Sequence, residues 1–423
     1  MSQQWTIQPM RILRHLFTAS AVLVLALHTF LSAAQDDAPF AGSEPLAAAL
    51  QFVPDDGAAR SWLTFADYRA AEAARGLTTP DDFAAFMADD EMTSSWIAAM
   101  PSTGMQMNYF MQFDDMPDVL GIDFFDINQS LGLGLPPDEG LILRGSFDLA
   151  AIRAAHLARD FVEEDVNGIP RWCSPDGCDT GMNVDFANRQ PADVFGGDLG
   201  RRFPRALAND VLVGSGSDVT LNAALNAGAD GASYADNPLV VAALAALDGG
   251  HHLRAVQFAR PDDFLALSLD GMSAVPSEEE VREYQDGLRG GIDNLPVYNL
   301  VAFADAADAD SEMVLIALVY RNEEVAQIAA GVLDARLQRA RSAFRDATWA
   351  DLIAERGGTV EPTQVIAVTE ADRAVTLLVL RGPLPGDDPD ENGRLRSSGL
   401  LFQLILDGFY RRDLGWLQPV LLN

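Results

Sequence analysis

Twice in this chain an apolar, strand-like run ends on small polar residues and passes directly into an amphipathic helix. The runs are "GLILRGSFDLAAIRAAHLARDF" (140–161) and "NDVLVGSGSDVTLNAALNAG" (209–228). No other feature limits the fold as strongly. The apolar runs predict buried strands, a Ser or Asp at each junction caps the free amides of a first helical turn, and the apolar spacing then becomes helical. Between them "IPRWCSPDGCDTGMNVDFAN" reads as a hairpin. After them come a helix, "NPLVVAALAALDGG", and a strand, "HLRAVQFAR" (252–260). The order β-α-β-β-α-α-β predicts an α+β fold, an antiparallel sheet with helices packed on one face.

A related order restarts at residue 297. "VYNLVAFAD" and "EMVLIALVY" are two strands joined by the acidic loop "AADAD". "NEEVAQIAAGVLDARLQRARSAF" (322–344) predicts a long helix with Asn322 as N-cap, acids in its first turn and arginines in its last, matching the helix dipole. "EPTQVIAVTEADRAVTLLVLRG" (361–382) predicts a hairpin turning at Glu370-Ala371-Asp372. "LILRGSFDLAAI" and "LIALVYRNEEVAQI" read as the same strand-to-helix step, so a degenerate internal duplication is expected. The 423 residues suit two related α+β domains, 51–268 and 293–423, each large enough for its own core, with a linker helix at 269–292. Residues 61–76, "SWLTFADYRAAEAARG", carry Leu63, Phe65, Tyr68, Ala71 and Ala74 at helical spacing and predict a helix ending at Gly76.

The first 34 residues read as an export signal. Arg11 and Arg14 form a positive head, "LFTASAVLVLALHTFLSAA" (16–34) an apolar stretch, and Ser32 and Ala34 the small residues before a cleavage site. Cleavage after Ala34 is expected, followed by a linker at 35–50. The alternative is an uncleaved N-terminal membrane anchor. No later segment reads as a membrane span. "GLLFQLILDGFY" (399–410) is too short.

The formal net charge is −33, and all 29 basic residues are Arg. Such a surface repels nucleic acid and anionic lipid, which excludes both as partners. It suits solubility outside the cell and could attract divalent cations or basic polymers.

Only Cys173 and Cys178 carry thiols. A redox pair usually has two residues between its cysteines; here "SPDG" fills a gap of four. Pro175 suits the second position of a type I turn, Asp176 the third, and Gly177 the positive φ that follows. With no second Cys pair for zinc and an oxidising destination, a disulfide is the expected state.

"GDDPDENGRLRSSG" (386–399) is the one metal candidate. Asp388, Asp390 and Asn392 before Gly393 match the opening of a calcium loop, whereas Gly399 stands where the closing bidentate Glu belongs. The Gly-rich turn of "VLVGSGSDVTLNAAL" lacks the third Gly of a dinucleotide fingerprint, and Ser217 or Asp218 as a helix cap accounts for it. His156 sits within a helix, and His251-His252 straddle a strand. Glu163-Glu164-Asp165 reads as a solvated loop and Glu323-Glu324 as a helix first turn. No H-E-x-x-H, G-x-S-x-G or Walker sequence occurs.

The run "GLPPDEGLILRGSFDLAAIRAAHLARDF", with "NDVLVGSGSDVTLNAALNAG" and "NPLVVAALAAL", is similar to sequences of uncharacterised exported bacterial proteins over roughly 135–260. The resemblance implies a secreted or envelope location and no activity. The expected function is therefore an exported, non-catalytic binding or scaffold protein of the bacterial cell envelope, without a cofactor. The alternatives are an extracellular hydrolase built on dispersed carboxylates and a weak calcium-dependent adhesion module.

Overall fold

Antiparallel pairing continues unbroken from one sheet edge to the other. A computed structural model describes residues 42–56, 62–80, 83–89, 93, 112–230, 233–264, 287, 289–292, 295–384 and 399–419. Its strands are β1 (Leu63–Asp67), β2 (Ile127–Leu133), β3 (Gly140–Gly145), β4 (Val162–Val166), β5 (Ile169–Cys173), β6 (Arg205–Ala208), β7 (Val211–Ser215), β8 (His252–Ala259), β9 (Leu300–Ala307), β10 (Ser311–Tyr320), β11 (Thr359–Val360), β12 (Gln364–Val368) and β13 (Arg373–Pro383). They form one thirteen-stranded sheet in the order β11-β13-β10-β9-β8-β1-β2-β3-β7-β6-β5-β4, with β12 also paired to β13.

Strands from both halves of the chain thus share one sheet, joined where β8 pairs with β1 and with β9. Outward from the β1–β8 pair the order is β2, β3, β7 on one side and β9, β10, β13 on the other. β3 leads into helix α5 (Leu149–Ala158) and β10 into helix α8 (Glu323–Leu337), on the same face of the sheet. Their caps are side chains: Asp148 accepts from the amide of Ala150 and Asn322 from that of Val325. The latter cap is the one the sequence predicts, though the helix ends at Leu337. There Arg336 turns inward to donate to the carbonyls of Ile292, Trp416 and Gln418.

The remaining helices are α1 (Glu44–Leu50), α2 (Tyr68–Ala73), α3 (Phe83–Ala88), α4 (Met116–Leu120), α6 (Asp218–Asp230), α7 (Pro238–Leu247), α9 (Trp349–Glu355) and α10 (Leu400–Tyr410). The fold is mixed α+β around an antiparallel sheet, as expected, but helices cover both faces. On the first face α1, α6 and α7 pack on Phe65, Leu131, Val213, Val256, Ala304 and Leu315. On the second face there are two blocks. One gathers α2, α4 and α5 over Leu143 and Leu212; the other gathers α8, α9 and α10 over Phe303, Ile316 and Leu378. The cause lies in the strands: all ten residues of β10 are buried, and alternate ones serve opposite faces.

Three local expectations change. Residues 61–76 are not one helix: Trp62 is followed by β1, and Asp67 then caps α2 through the amide of Ala70. Leu63 and Phe65 face one core and Thr64 the other, a strand period hidden by a short sample. Within the span expected as linker, Glu44–Leu50 is helix α1, with Leu46, Ala49 and Leu50 buried. Glu163-Glu164-Asp165 lies in the edge strand β4, where Arg153 holds Glu163 and Arg171 holds Glu164. The signal segment 1–34 lies outside the described residues, as does most of 269–292.

Among the described residues, a fully buried arginine pairs with a buried carboxylate at two places. In the second half Arg254 donates to Asp305 (2.7 Å) and Glu312 (2.8 Å) on adjacent strands, and Glu312 also accepts the amide of Gly399 at the start of α10. Burial raises the Asp305 carboxyl, although Arg254 opposes it. The other place supports the pocket described next.

Candidate functional site

A row of paired residues crosses the sheet centre on its second face: Gln257, Thr64, Gly132, Leu141 and Gly214, in β8, β1, β2, β3 and β7. Gly132 has no side chain, so the sheet floor dips between Thr64 and Leu141. A pocket of about 350 Å³ opens there. It lies where the two helical blocks of this face meet. Trp62, on one wall, stacks on Tyr410 of α10 with ring centres 5.6 Å apart. Val194, Leu199 and Phe203 form the opposite wall, and the β2–β3 turn (Gly134 to Glu139) the rim. Gly134 has φ +69°, and a Cβ there would lie 2.2 Å from the carbonyl oxygen of Asp138, so only glycine fits this turn.

The far wall belongs to a loop that one buried carboxylate holds in place. Asp193 is fully buried and accepts from Arg205 (3.0 and 3.1 Å), Arg159 (2.7 Å) and the amide of Phe195. Burial alone would raise its pKa; the two guanidinium groups outweigh burial and hold it at about 2. Burial pulls the pKa of Arg205 downward, and the charge of Asp193 opposes that pull. The guanidinium of Arg205 also lies over the rings of Phe161 (4.8 Å) and Phe195 (5.0 Å).

His156 packs beside this cluster, against Trp172 and Phe161. Its Nδ1 lies 2.7 Å from the carbonyl oxygen of Ile152. Burial, and then the charge of Arg205, push its pKa down to about 3. A basic group with a depressed folded pKa contributes stability that is present above about pH 6.5 and lost as pH falls toward 3. We therefore expect wild-type protein to lose about 2 kcal/mol relative to His156→Leu between pH 7.5 and pH 5, read from urea unfolding. A difference that stays constant with pH would contradict a neutral buried imidazole.

Four polar side chains line the pocket: Thr64, Glu139, Asp198 and Arg201. Glu139 accepts from Arg201 (2.8 Å) through one carboxylate oxygen. Its main chain is fixed by Ser215 and Gly216, both of which donate to its carbonyl. Burial raises the Glu139 carboxyl; Arg201 lowers it and Asp198 raises it further. Thr64 is 3 % exposed, and its hydroxyl has no hydrogen-bond partner among the described residues. Beside it, Oε1 of the fully buried Gln257 also lacks one. Buried polar groups are usually paired, and leaving one unpaired costs about 1–3 kcal/mol. Thr64→Val should accordingly raise the unfolding free energy by about 1 kcal/mol, measured by urea denaturation. A loss of stability would mean that the hydroxyl is already satisfied.

None of the residues singled out from the sequence lines this pocket. Cys173 and Cys178 lie at the sheet edge with their sulfurs at bonding distance (1.93 Å) and Cα atoms 4.8 Å apart. The predicted turn lies between them: the amide of Gly177 donates to the Ser174 carbonyl, and Gly177 has φ +112°. Glu164 is close to both sulfurs, but thiols joined to each other are not metal-binding thiolates. Asp388, Asp390 and Asn392 lie outside the described residues. Ser217 caps α6 through the amide of Thr220, a structural role for the Gly-rich turn. Trp62 and Thr64 were hidden by the helical reading of 61–76. Gly132 did leave a signal, a glycine inside the strand run "INQSLGL", which marks a bulge or a close approach.

No protein-family model matches the chain, and no curated protein matches it. Among solved structures, three crystal forms of the bacterial protein TP0453 align with it. Form IV has 9% identity over 84% of this chain and 95% of that one, with a TM-score of 0.35. Form I has 9% identity over 85% and 96%, with a TM-score of 0.29, and form III 8% over 85% and 97%, with 0.30. At these values the likeness supports no argument about this chain. Among the described residues no helix is long and apolar enough to cross a membrane. The disulfide is compatible with an extracytoplasmic protein.

Proposed function

We propose that this chain is an exported, non-catalytic binding protein of the bacterial cell envelope, and that it receives a small molecule in the pocket above Thr64 and Gly132. The unpartnered hydroxyl of Thr64 carries the reading: Thr64 lines the pocket, and its hydroxyl, buried at the floor without a partner among the described residues, is where a ligand's polar group would complete the hydrogen bonding. The apolar walls around it suit the rest of such a ligand. Binding is favoured over catalysis because a hydroxyl nucleophile needs a base within hydrogen-bond reach, and Thr64 has no such neighbour among the described residues. Export is supported by the N-terminal charge and apolar pattern, the disulfide and the acidic surface.

Ligand-observed NMR with a fragment library tests the pocket. Hits are expected that disappear with Gly132→Val, which would place a branched side chain over the pocket floor. A library with no hit sensitive to that substitution would count against the pocket. Mass spectrometry of protein recovered from the producing bacterium tests export; an N-terminus at Gln35 is expected, and an intact Met1 in the cytosolic fraction would contradict it.

A further inference from the structure

The polar side chains of the pocket lining include two carboxylates, Glu139 and Asp198. The Thr64 hydroxyl is unpartnered, and only one of the two Glu139 carboxylate oxygens is engaged by Arg201. Asp198 adds a second carboxylate, so two acids face a single guanidinium in the pocket lining. The rings of Trp62 and Phe203 supply faces that attract positive charge. Beyond the pocket, the net charge of −33 draws cations toward the protein and repels anions.

Resting on the pocket reading above, we infer that the ligand is a small primary ammonium compound with an apolar body. Its N–H groups would donate to the free Glu139 oxygen and to Thr64, and its apolar part would lie against Trp62 and Phe203. A carboxylate ligand would meet Arg201 already engaged and a surplus negative charge. A neutral ligand would leave the second Glu139 oxygen without the charge-assisted bond that an ammonium supplies.

Calorimetry on the full chain at 0.15 M salt, which screens the chain's general negative field, compares three probes of similar size: phenethylamine, 2-phenylethanol and 3-phenylpropanoate. Phenethylamine is expected to bind at least tenfold more tightly than the alcohol, and the carboxylate least. Glu139→Gln should weaken the amine about tenfold or more and leave the alcohol within twofold, because only a charge-assisted bond is removed. Circular dichroism of the variant confirms that it is folded. If the alcohol or the carboxylate binds as tightly as the amine, and all are lost with Gly132→Val, the ammonium inference falls while the pocket stands. Amine binding unchanged by both substitutions would also overturn the inference, since it would then lie elsewhere. No binding of any probe at millimolar concentration would overturn the inference and the pocket together.

Discussion

Asp193→Ala is expected to lower the unfolding free energy by about 3–5 kcal/mol and to abolish ligand uptake by the pocket. The size follows from what the substitution leaves behind. Arg205 is fully buried, and Asp193 is the carboxylate that neutralises it. Without Asp193, Arg205 keeps the carbonyl of Phe203 and two aromatic faces, which do not cancel a buried charge. The functional loss has a separate cause. Asp193 begins the stretch that carries Val194, Leu199 and Phe203, and its carboxylate also caps the amide of Phe195. Freed from Arg205 and Arg159, that wall loses its fixed distance from the sheet. Chemical denaturation measures the first effect and probe binding the second. The same carboxylate sets an acid limit. Its folded pKa of about 2 lies below the ordinary value of 3.8, so its contribution is present above about pH 4 and is lost as pH falls toward 2. The variant should lack this loss.

Arg254→Met is expected to cost a similar amount, about 3–5 kcal/mol, with no direct effect on the pocket. Met roughly preserves the length of the side-chain stem, so packing changes little. What changes is that Asp305 and Glu312, both buried and facing each other from adjacent strands, lose their shared cation. Asp305, whose carboxyl burial already raises, can respond by taking up a proton. The deficit of the variant should therefore shrink as pH is lowered from 8 to 5, which thermal melts across that range would show. A second substitution separates charge from packing. Adding Asp305→Leu and Glu312→Leu to Arg254→Met should recover much of the loss, because an apolar replacement of a buried ion set is often neutral or better. If the triple variant is as unstable as the single one, the cost comes from shape and not from unpaired charge.

How much of this was legible in the sequence depended on the kind of signal. Helix caps are local, so Asn322 and the turn around Gly177 could be read from a few neighbouring residues, and the structure places them as read, whereas at 140–161 the sequence left Ser or Asp open and the structure gives Asp148. The acidic loop between β9 and β10 was equally local. Pairing between distant strands is not local. Nothing in "HLRAVQFAR" names β1 as its partner, nearly two hundred residues earlier, and so the single sheet uniting both halves was not visible. β1 itself was misread because Leu63, Phe65 and Tyr68 fit a helical spacing as well as a strand followed by a helix. The burial of β10 on both faces could have been anticipated, since its apolar run has no polar alternation. The candidate site was the least legible part. It is built from a missing side chain at Gly132, an unpaired hydroxyl at Thr64 and a loop wall fixed from below by Asp193, and each acquires meaning only when the strands are side by side. The acidic turn at 386–399 drew attention through composition, whereas the pocket has no compositional mark.

The most direct test of the central claim is an NMR titration of protein carrying ¹³C-labelled threonine methyl groups with phenethylamine. The Thr64 methyl signal, assigned by its absence in Thr64→Val, is predicted to shift and to saturate at the dissociation constant found by calorimetry. A Thr64 signal that stays in place while calorimetry reports binding would contradict the account, because the ligand would then sit away from the one buried hydroxyl said to receive it.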